Sequence, residues 1–311
     1  MHAKLLKSIW LTALFLALGA LLSLYRAEIR LRENLQGDLI FADNLGNSPN
    51  FSKIVIETPA KQISLQKEDN LWRIPEADNY YASFAKVQNL LDNILSAHIG
   101  KSLAEIPVEI VWKNIELFNQ QEQKTASIMI GKLLKQNVYY VRYPEKPEIY
   151  LSTWKMDLPD DVYSWTRQPL LEFESKNIKS IEKNNILISR REEGEPFYNT
   201  HNHKPYHLQD YMRIFTTLTD LHYEKVLSSQ EFSPENYPHR QTLELTTFDG
   251  LITIVTIYSD LKDYWIQINL STNRLPRQQA TEYVAQNKIL YEDWWFKIDE
   301  TDGQGLFNFR F

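Results

Sequence analysis

The 311-residue chain reads as an α+β protein: an N-terminal transmembrane helix followed by two related modules of mainly antiparallel sheet, each with one main packed helix. Three observations carry this reading. An uncharged apolar run stands near the N-terminus, short strand-like runs are grouped around two amphipathic helical segments, and those two segments align at a constant offset.

The N-terminal element is the clearest local signal. After a short basic tail, residues 1–7, Ser8 to Tyr25 form a run of 18 residues without a charge, enough at about 1.5 Å per residue to cross most of a hydrocarbon core of about 30 Å. Ile9, Leu14, Phe15, Leu18 and Leu22 supply apolar side chains, and Trp10 and Tyr25 stand near the two ends, where amphipathic rings favour the interface. The competing reading is a cleavable signal peptide, whose apolar stretch usually runs about 7–15 residues and ends at small residues. Here the best small pair, Ala17 and Gly19, lies inside the run, so an uncleaved anchor is expected. Lys4 and Lys7 precede the span while Arg26, Arg30 and Arg32 follow it, which nearly balances the positive-inside count. A basic tail before a signal-like run nevertheless favours a domain outside the cytoplasm.

Residues 26–50 read as a charged stalk and linker. Glu28 lies one turn before Arg32 in a segment that extends the helix, and Gly37, Gly46 and Pro49 punctuate the stretch up to residue 50. The first α+β module is expected over 51–175. Ile54 to Glu57, Gln62 to Gln66 and Leu71 to Ile74 are short β-branched or alternating runs broken by turn residues. A helix comes next over Ser83 to His98, with Phe84, Val87, Leu90, Leu91, Ile94 and Leu95 at helical spacing. Further strands are placed at Ser127 to Gly131, Val138 to Tyr143 and Glu148 to Leu151.

The second module, 176–311, repeats the order. A strand at Asn185 to Arg190 leads through a turn-rich stretch to a helix at Leu208 to Leu221, with strands at Thr242 to Thr247, Ile252 to Tyr258 and Tyr264 to Leu270, and TrpTrpPheLysIle (294 to 298) as a closing strand. Residues 84 to 103 align with 208 to 227 without a gap: Val87 with Tyr211, Leu90 with Ile214, Leu91 with Phe215, Ile94 with Leu218, His98 with His222, Lys101 with Lys225 and Leu103 with Leu227. Superposed apolar faces explain the apolar pairs but not the shared His-x-x-Lys-x-Leu ending, so an internal duplication is read here.

Composition narrows the chemistry. Hydrophobic residues at 43% supply material for a sizeable core, and only 9 glycines leave little for phosphate-cradling loops. The formal charge is −6, and no basic stripe offsets it, which disfavours nucleic acid as a partner. Cysteine is absent, removing thiol nucleophiles, thiolate ligands and disulfides. The commonest hydrolase, zinc-protease and nucleotide-binding motifs are absent too, and no cofactor is indicated.

The candidates that remain are few. His201, His203 and His207, spaced two and four apart in a turn, are the weak candidates for a metal such as zinc or copper; the alternative is a polar loop before a helix. The acidic pairs Asp160 and Asp161, Glu192 and Glu193, and Glu292 and Asp293 are read as solvated, because neighbours on a strand diverge. The chain has 8 Trp and 17 Tyr, with pairs at 80 to 81, 139 to 140 and 294 to 295, so some rings are expected to face outward, either to bind a glycan or partner or to stabilise strands.

The order of LeuTrpArgIle (71 to 74), ProGluAlaAsp (75 to 78), IleGly (130 to 131), TyrTyrValArg (139 to 142), IleTyrLeu (149 to 151) and TrpThrArgGlnProLeuLeu (165 to 171) resembles the membrane-associated bacterial proteins grouped as domain of unknown function 4340, over most of residues 51 to 300. The turn GluProPheTyrAsnThrHisAsnHis (195 to 203) departs from that pattern. The resemblance implies a single-pass protein of the bacterial inner membrane with a periplasmic α+β domain, in a family with some members encoded beside or fused to gliding-type ABC transporter components. It implies a non-catalytic accessory or scaffold role in a membrane protein complex and assigns no catalytic residues. The alternative expectation is an extracytoplasmic protein that binds or modifies a glycan.

Overall fold

The computed structural model describes residues 37–41, 51–103, 110–133, 138–206 and 208–309. The N-terminal span expected over residues 8–25, with Ile9, Trp10, Leu14, Phe15, Leu18, Leu22 and Tyr25, lies outside the described residues. Among those described, no helix is long and apolar enough to cross a membrane.

Strands β1 (Lys53–Glu57), β2 (Gln62–Glu68), β3 (Leu71–Ile74) and the two-residue β4 (Tyr80–Tyr81) precede helix α1 (Phe84–Ser96). Then come β5 (Ile99–Ser102), β6 (Ile110–Phe118), β7 (Lys124–Leu133), β8 (Val138–Arg142) and β9 (Tyr150–Ser152). The later series is β10 (Ile178–Lys183), β11 (Ile186–Ser189), β12 (Tyr198–Asn199), α2 (Leu208–Thr219), β13 (Tyr223–Ser228), β14 (His239–Thr247), β15 (Leu251–Ser259), β16 (Tyr264–Thr272), α3 (Gln278–Asn287), β17 (Trp294–Ile298) and α4 (Glu300–Asn308). Two sheets, antiparallel at every pairing in the register, and a few helices make the chain α+β.

The chain divides into two compact units, one of Met1–Lys67 and Val87–Asp160, the other of Glu68–Lys86 and Asp161–Phe311. In the first, the strand order runs β2-β1-β6-β7-β8-β9-β5. Register sets Ile54 opposite Leu65 and Leu117, and Ile56 opposite Ile63 and Ile115, and all six are fully buried. Each contributes about 1.5–3 kcal/mol relative to an exposed side chain. Residues 37–41, which composition places in the linker, are packed in this unit. Leu39 bridges His98, Ile40 N donates to Ala97 O at 2.9 Å, Ile99 N donates to Asp38 O at 2.9 Å, and Ile40 and Phe41 are each 2% exposed. They form a strap along the β5 edge.

In the second unit the order runs β12-β11-β10-β14-β15-β16-β17-β13. Leaving out β12, it matches the first unit strand for strand, with β11, β10, β14, β15, β16, β17 and β13 standing where β2, β1, β6, β7, β8, β9 and β5 stand. In both units the helix directly precedes the last strand of that order. The starts of α1 and α2, and those of β5 and β13, are each 124 residues apart. The hairpin β3/β4 belongs to this unit, where Tyr80 packs edge-on against Tyr223, Trp294 and Phe296 and its hydroxyl donates to Leu290 O at 3.0 Å.

The helical faces behave as their spacing predicts: Val87, Leu90, Ile94, Tyr211, Ile214, Phe215 and Leu218 are buried and Leu91 is half-buried, whereas Phe84 and Leu95 are exposed. Several elements differ from the reading. The helices end at Ser96 and Thr219, so the His-x-x-Lys-x-Leu endings are strands β5 and β13 rather than helix. Strand β6 was not predicted because Lys113 interrupts its apolar alternation. That ammonium ion bonds Leu158 O and pairs with Asp160 at 2.9 Å. Helices α3 and α4 were also not predicted; the first is mostly polar and the second contains Gly303 and Gly305.

Candidate functional site

The histidine turn is organised by Asn199. Its side-chain oxygen accepts from His201 N at 2.9 Å and Asn202 N at 3.3 Å, while its carbonyl accepts from His203 N at 2.9 Å. His203 takes a left-handed conformation, φ 55°, and both imidazoles are exposed. His207 lies outside the described residues. Among those described, no three His, Asp or Glu side chains are grouped to hold a metal.

Three residues of the acidic pairs have local partners. Asp160 pairs with Lys113, Asp161 accepts from Ser164 N at 2.9 Å, and Glu292 pairs with Lys288 at 3.0 Å. A tighter arrangement was not foreseen. Asp157 receives Lys132 Nζ at 2.7 and 2.8 Å and the Tyr139 hydroxyl at 2.7 Å, and the Lys132 hydrogen bonds, then that of Tyr139, hold its carboxyl below the usual range.

Two surfaces stand out, one on each unit. The first unit has a polar groove of about 810 Å³. Its lining comes from the strap residues Asp38–Ile40, the turn Tyr143–Lys146, and Asn114, Glu116, Lys124 and Ser127 of β6 and β7. Glu116 stands opposite Ser127 in the register and pairs with Lys124 at 3.0 Å, while Ser127 Oγ donates to Asn114 Oδ1 at 3.1 Å. The Tyr143 hydroxyl donates to Ile40 O and joins the turn to the strap. The lining offers carboxylates, ammonium groups, an amide and hydroxyls, suited to a polar partner segment.

On the second unit, aromatic rings collect on one face of the sheet. Expectation placed some rings of the adjacent aromatic pairs outward, yet Tyr80, Tyr81, Tyr139, Tyr140, Trp294 and Trp295 are all buried. Trp295 points away from Phe296, its neighbour in the core, and is covered by Phe232, whose ring stacks on it with centroids 4.0 Å apart. Trp265 and Tyr258 join this cluster, and Tyr237 stacks on Phe232 at 5.2 Å. Loop residues between β13 and β14 thus cover rings that alternation alone would leave in water.

The family model described as domain of unknown function (DUF4340) matches residues 72–241, more than half of the chain. The chain belongs to this family. The DUF4340 match starts in β3 and ends in β14, narrower than the 51 to 300 expected. No curated protein and no solved structure matches the chain.

One segment within the matched residues has a clear structural role. In TrpThrArgGlnProLeuLeu (165 to 171), Trp165 is fully buried and its carbonyl accepts from Ser83 N at 2.8 Å. Lys86 Nζ donates to Ser164 O at 2.7 Å and Thr166 O at 3.0 Å, and burial lowers its pKa. Arg167 reaches Glu172 at 2.8 Å and Asn287 Oδ1 at 2.6 Å. Gln168 exchanges two hydrogen bonds with the Tyr223 backbone, and the Leu170 backbone bonds Leu221 O and the Tyr291 hydroxyl. The segment ties the start of α1, β13 and the turn after α3 together, so it serves the framework of the unit.

Proposed function

We propose that this chain is a non-catalytic accessory or scaffold protein of a bacterial envelope complex, anchored in the inner membrane through residues 8–25 with its folded part in the periplasm. An ABC-type transporter is the first complex to test. The observation that supports this is the strap: residues 38–40 line the groove of the first unit, and Asp38 follows Tyr25 by only 13 residues. Even fully extended at about 3.5 Å per residue, that stretch spans about 45 Å. A groove so tethered meets polar segments of neighbouring membrane proteins rather than distant soluble ones. The second reading, an extracytoplasmic glycan-binding or glycan-modifying protein, is favoured by the buried aromatic cluster on the second unit.

The test is purification of the full-length protein from its native membrane in mild detergent, with mass spectrometry of what accompanies it. Transporter subunits recovered with the native chain, and lost with Ser127→Arg in the groove, are expected. Recovery of the same partners with the variant would remove the groove from the proposal, and recovery of the chain alone would end the scaffold reading.

A further inference from the structure

Cross-strand register places four side chains in one row on the outer face of the second sheet: Arg240 opposite Tyr258, Tyr258 opposite Trp265, and Trp265 opposite Lys297. Trp295 lies beside this row, two residues from Lys297 and opposite Leu227. The row and Trp295 together present a platform of two indoles and a phenol, with Arg240 and Lys297 at the two ends of the row.

Over the platform itself the cover makes ring contacts. Phe232 lies on Trp295 with an interplanar angle of 19° and touches Trp265 at 5.2 Å between centroids, and Tyr237 stacks outside it. Glu231 N and Phe232 N donate to Ser228 O at the end of β13 and Ser229 N donates to Asp293 O, which root the start of the connection, while Asn236 N and Tyr237 N donate to Ser233 O and Pro234 O within it. Beneath the cover, Trp265 is 4% exposed, and its indole N–H is buried without a hydrogen-bond partner. A donor left so is costly, and phenyl and phenol faces supply no oxygen for it. Lys297 pairs with Asp263 at 2.7 Å, whereas the Arg240 guanidinium lies 5.5 Å from the Tyr258 ring centroid.

We propose that this platform binds an acidic glycan, a chain of pyranose rings bearing carboxylates, with the connection 229–238 as a lid and Phe232 as the internal occupant that the sugar displaces. A pyranose ring presents a flat C–H face that stacks on an indole as Phe232 does. Unlike phenyl, it carries oxygens able to accept from Trp265 Nε1, and its carboxylate suits Arg240 in a bidentate pair. Because the lid competes with the ligand, the apparent affinity is the intrinsic affinity multiplied by the fraction of chains in the open state. The proposal rests on the second reading, an extracytoplasmic glycan-binding protein, and its failure leaves the scaffold reading, which co-purification tests, untouched.

The experiment titrates the purified full chain with hexagalacturonate and, separately, with maltohexaose, following tryptophan fluorescence and calorimetric heat. The acidic hexamer is expected to perturb tryptophan emission and bind more tightly than the neutral one. Phe232→Ala, which removes the occupant, should tighten binding about tenfold, and Arg240→Ala should abolish the preference for the acidic sugar. Absence of binding in both the native chain and Phe232→Ala, with circular dichroism showing the variant folded, overturns the proposal. Equal affinity for the two sugars overturns it as well.

Discussion

Lys183 shows how a residue that reads as surface becomes structural. In the sequence it sits in IleGluLysAsnAsn, an apparent solvated strand end, yet it is 2% exposed. Its ammonium reaches Leu306 O, Phe307 O and Phe309 O at 2.7, 2.8 and 2.8 Å, filling carbonyls at the C-terminus of α4. Lys183→Met retains the stem and removes the donors, and is expected to cost about 2–4 kcal/mol, read as a lower urea midpoint at unchanged slope. At the opposite end of α4, Asp299 caps Thr301 N at 2.7 Å and Asp302 N at 3.0 Å. The Asp302 carboxyl is pushed up to about 6, first by burial and then by its hydrogen bond and charge interaction with Asp299; Asp220 adds to this and His222 opposes it. The folded state therefore binds this proton more tightly than the unfolded one, so stability falls as pH rises from the ordinary carboxylate range through about 6. Melting temperatures measured from pH 7 down to pH 5 should rise, and Asp302→Asn should flatten that part of the profile. The C-terminal end of α4 was not legible in the sequence, since the carbonyl cage around Lys183 exists only after distant segments meet, whereas Asp299 and Asp302 are three residues apart.

Among the elements, α1 and α2 were the most legible because their buried positions recur at helical spacing, and the strand runs built on alternating isoleucine, leucine and valine were nearly as clear. What escaped had a physical cause in each case. An inward lysine hid β6, and two glycines hid α4. Those glycines differ in kind. A Cβ on Gly303 would stand 2.2 Å from Tyr264 Cγ, whereas one on Gly305 would meet nothing within 4 Å. Gly305→Ala should stabilise the protein by about 0.5–1 kcal/mol, and Gly303→Ala should destabilise it by about 1–3 kcal/mol through overpacking. Thermal unfolding of the two variants side by side checks this, and equal effects would contradict the packing described. On α2, Leu218 is fully buried, and Leu218→Ala should cost about 2–4 kcal/mol in the same assay. At the candidate surfaces, the rings were visible as an aromatic excess, but their cover was not, because Phe232 and Tyr237 sit in a connection without periodicity.

For the whole molecule, seven strands of each unit run in one shared order. The compact units do not follow the linear order of the modules. Residues 68–86 belong with 161–311, and Asp78 accepts from Ser228 N at 2.6 Å while Tyr80 fills the aromatic core of that unit. A fragment of residues 161–311 alone is therefore expected to lose cooperative unfolding, which circular dichroism in urea would show. Adding a peptide of residues 68–86 should restore part of it. Full cooperativity in the fragment without the peptide would show that the hairpin is dispensable.

The strap along β5 also has a mechanical meaning. Tension applied to the chain ahead of Gly37 is carried into the first sheet by the Ile40 and Ile99 backbone bonds, the Tyr143 hydroxyl and the seated side chains of Ile40 and Phe41. These contacts are few beside the long ladder between β6 and β7. Loss of these contacts would bare the β5 edge and remove one wall of the groove at the same moment.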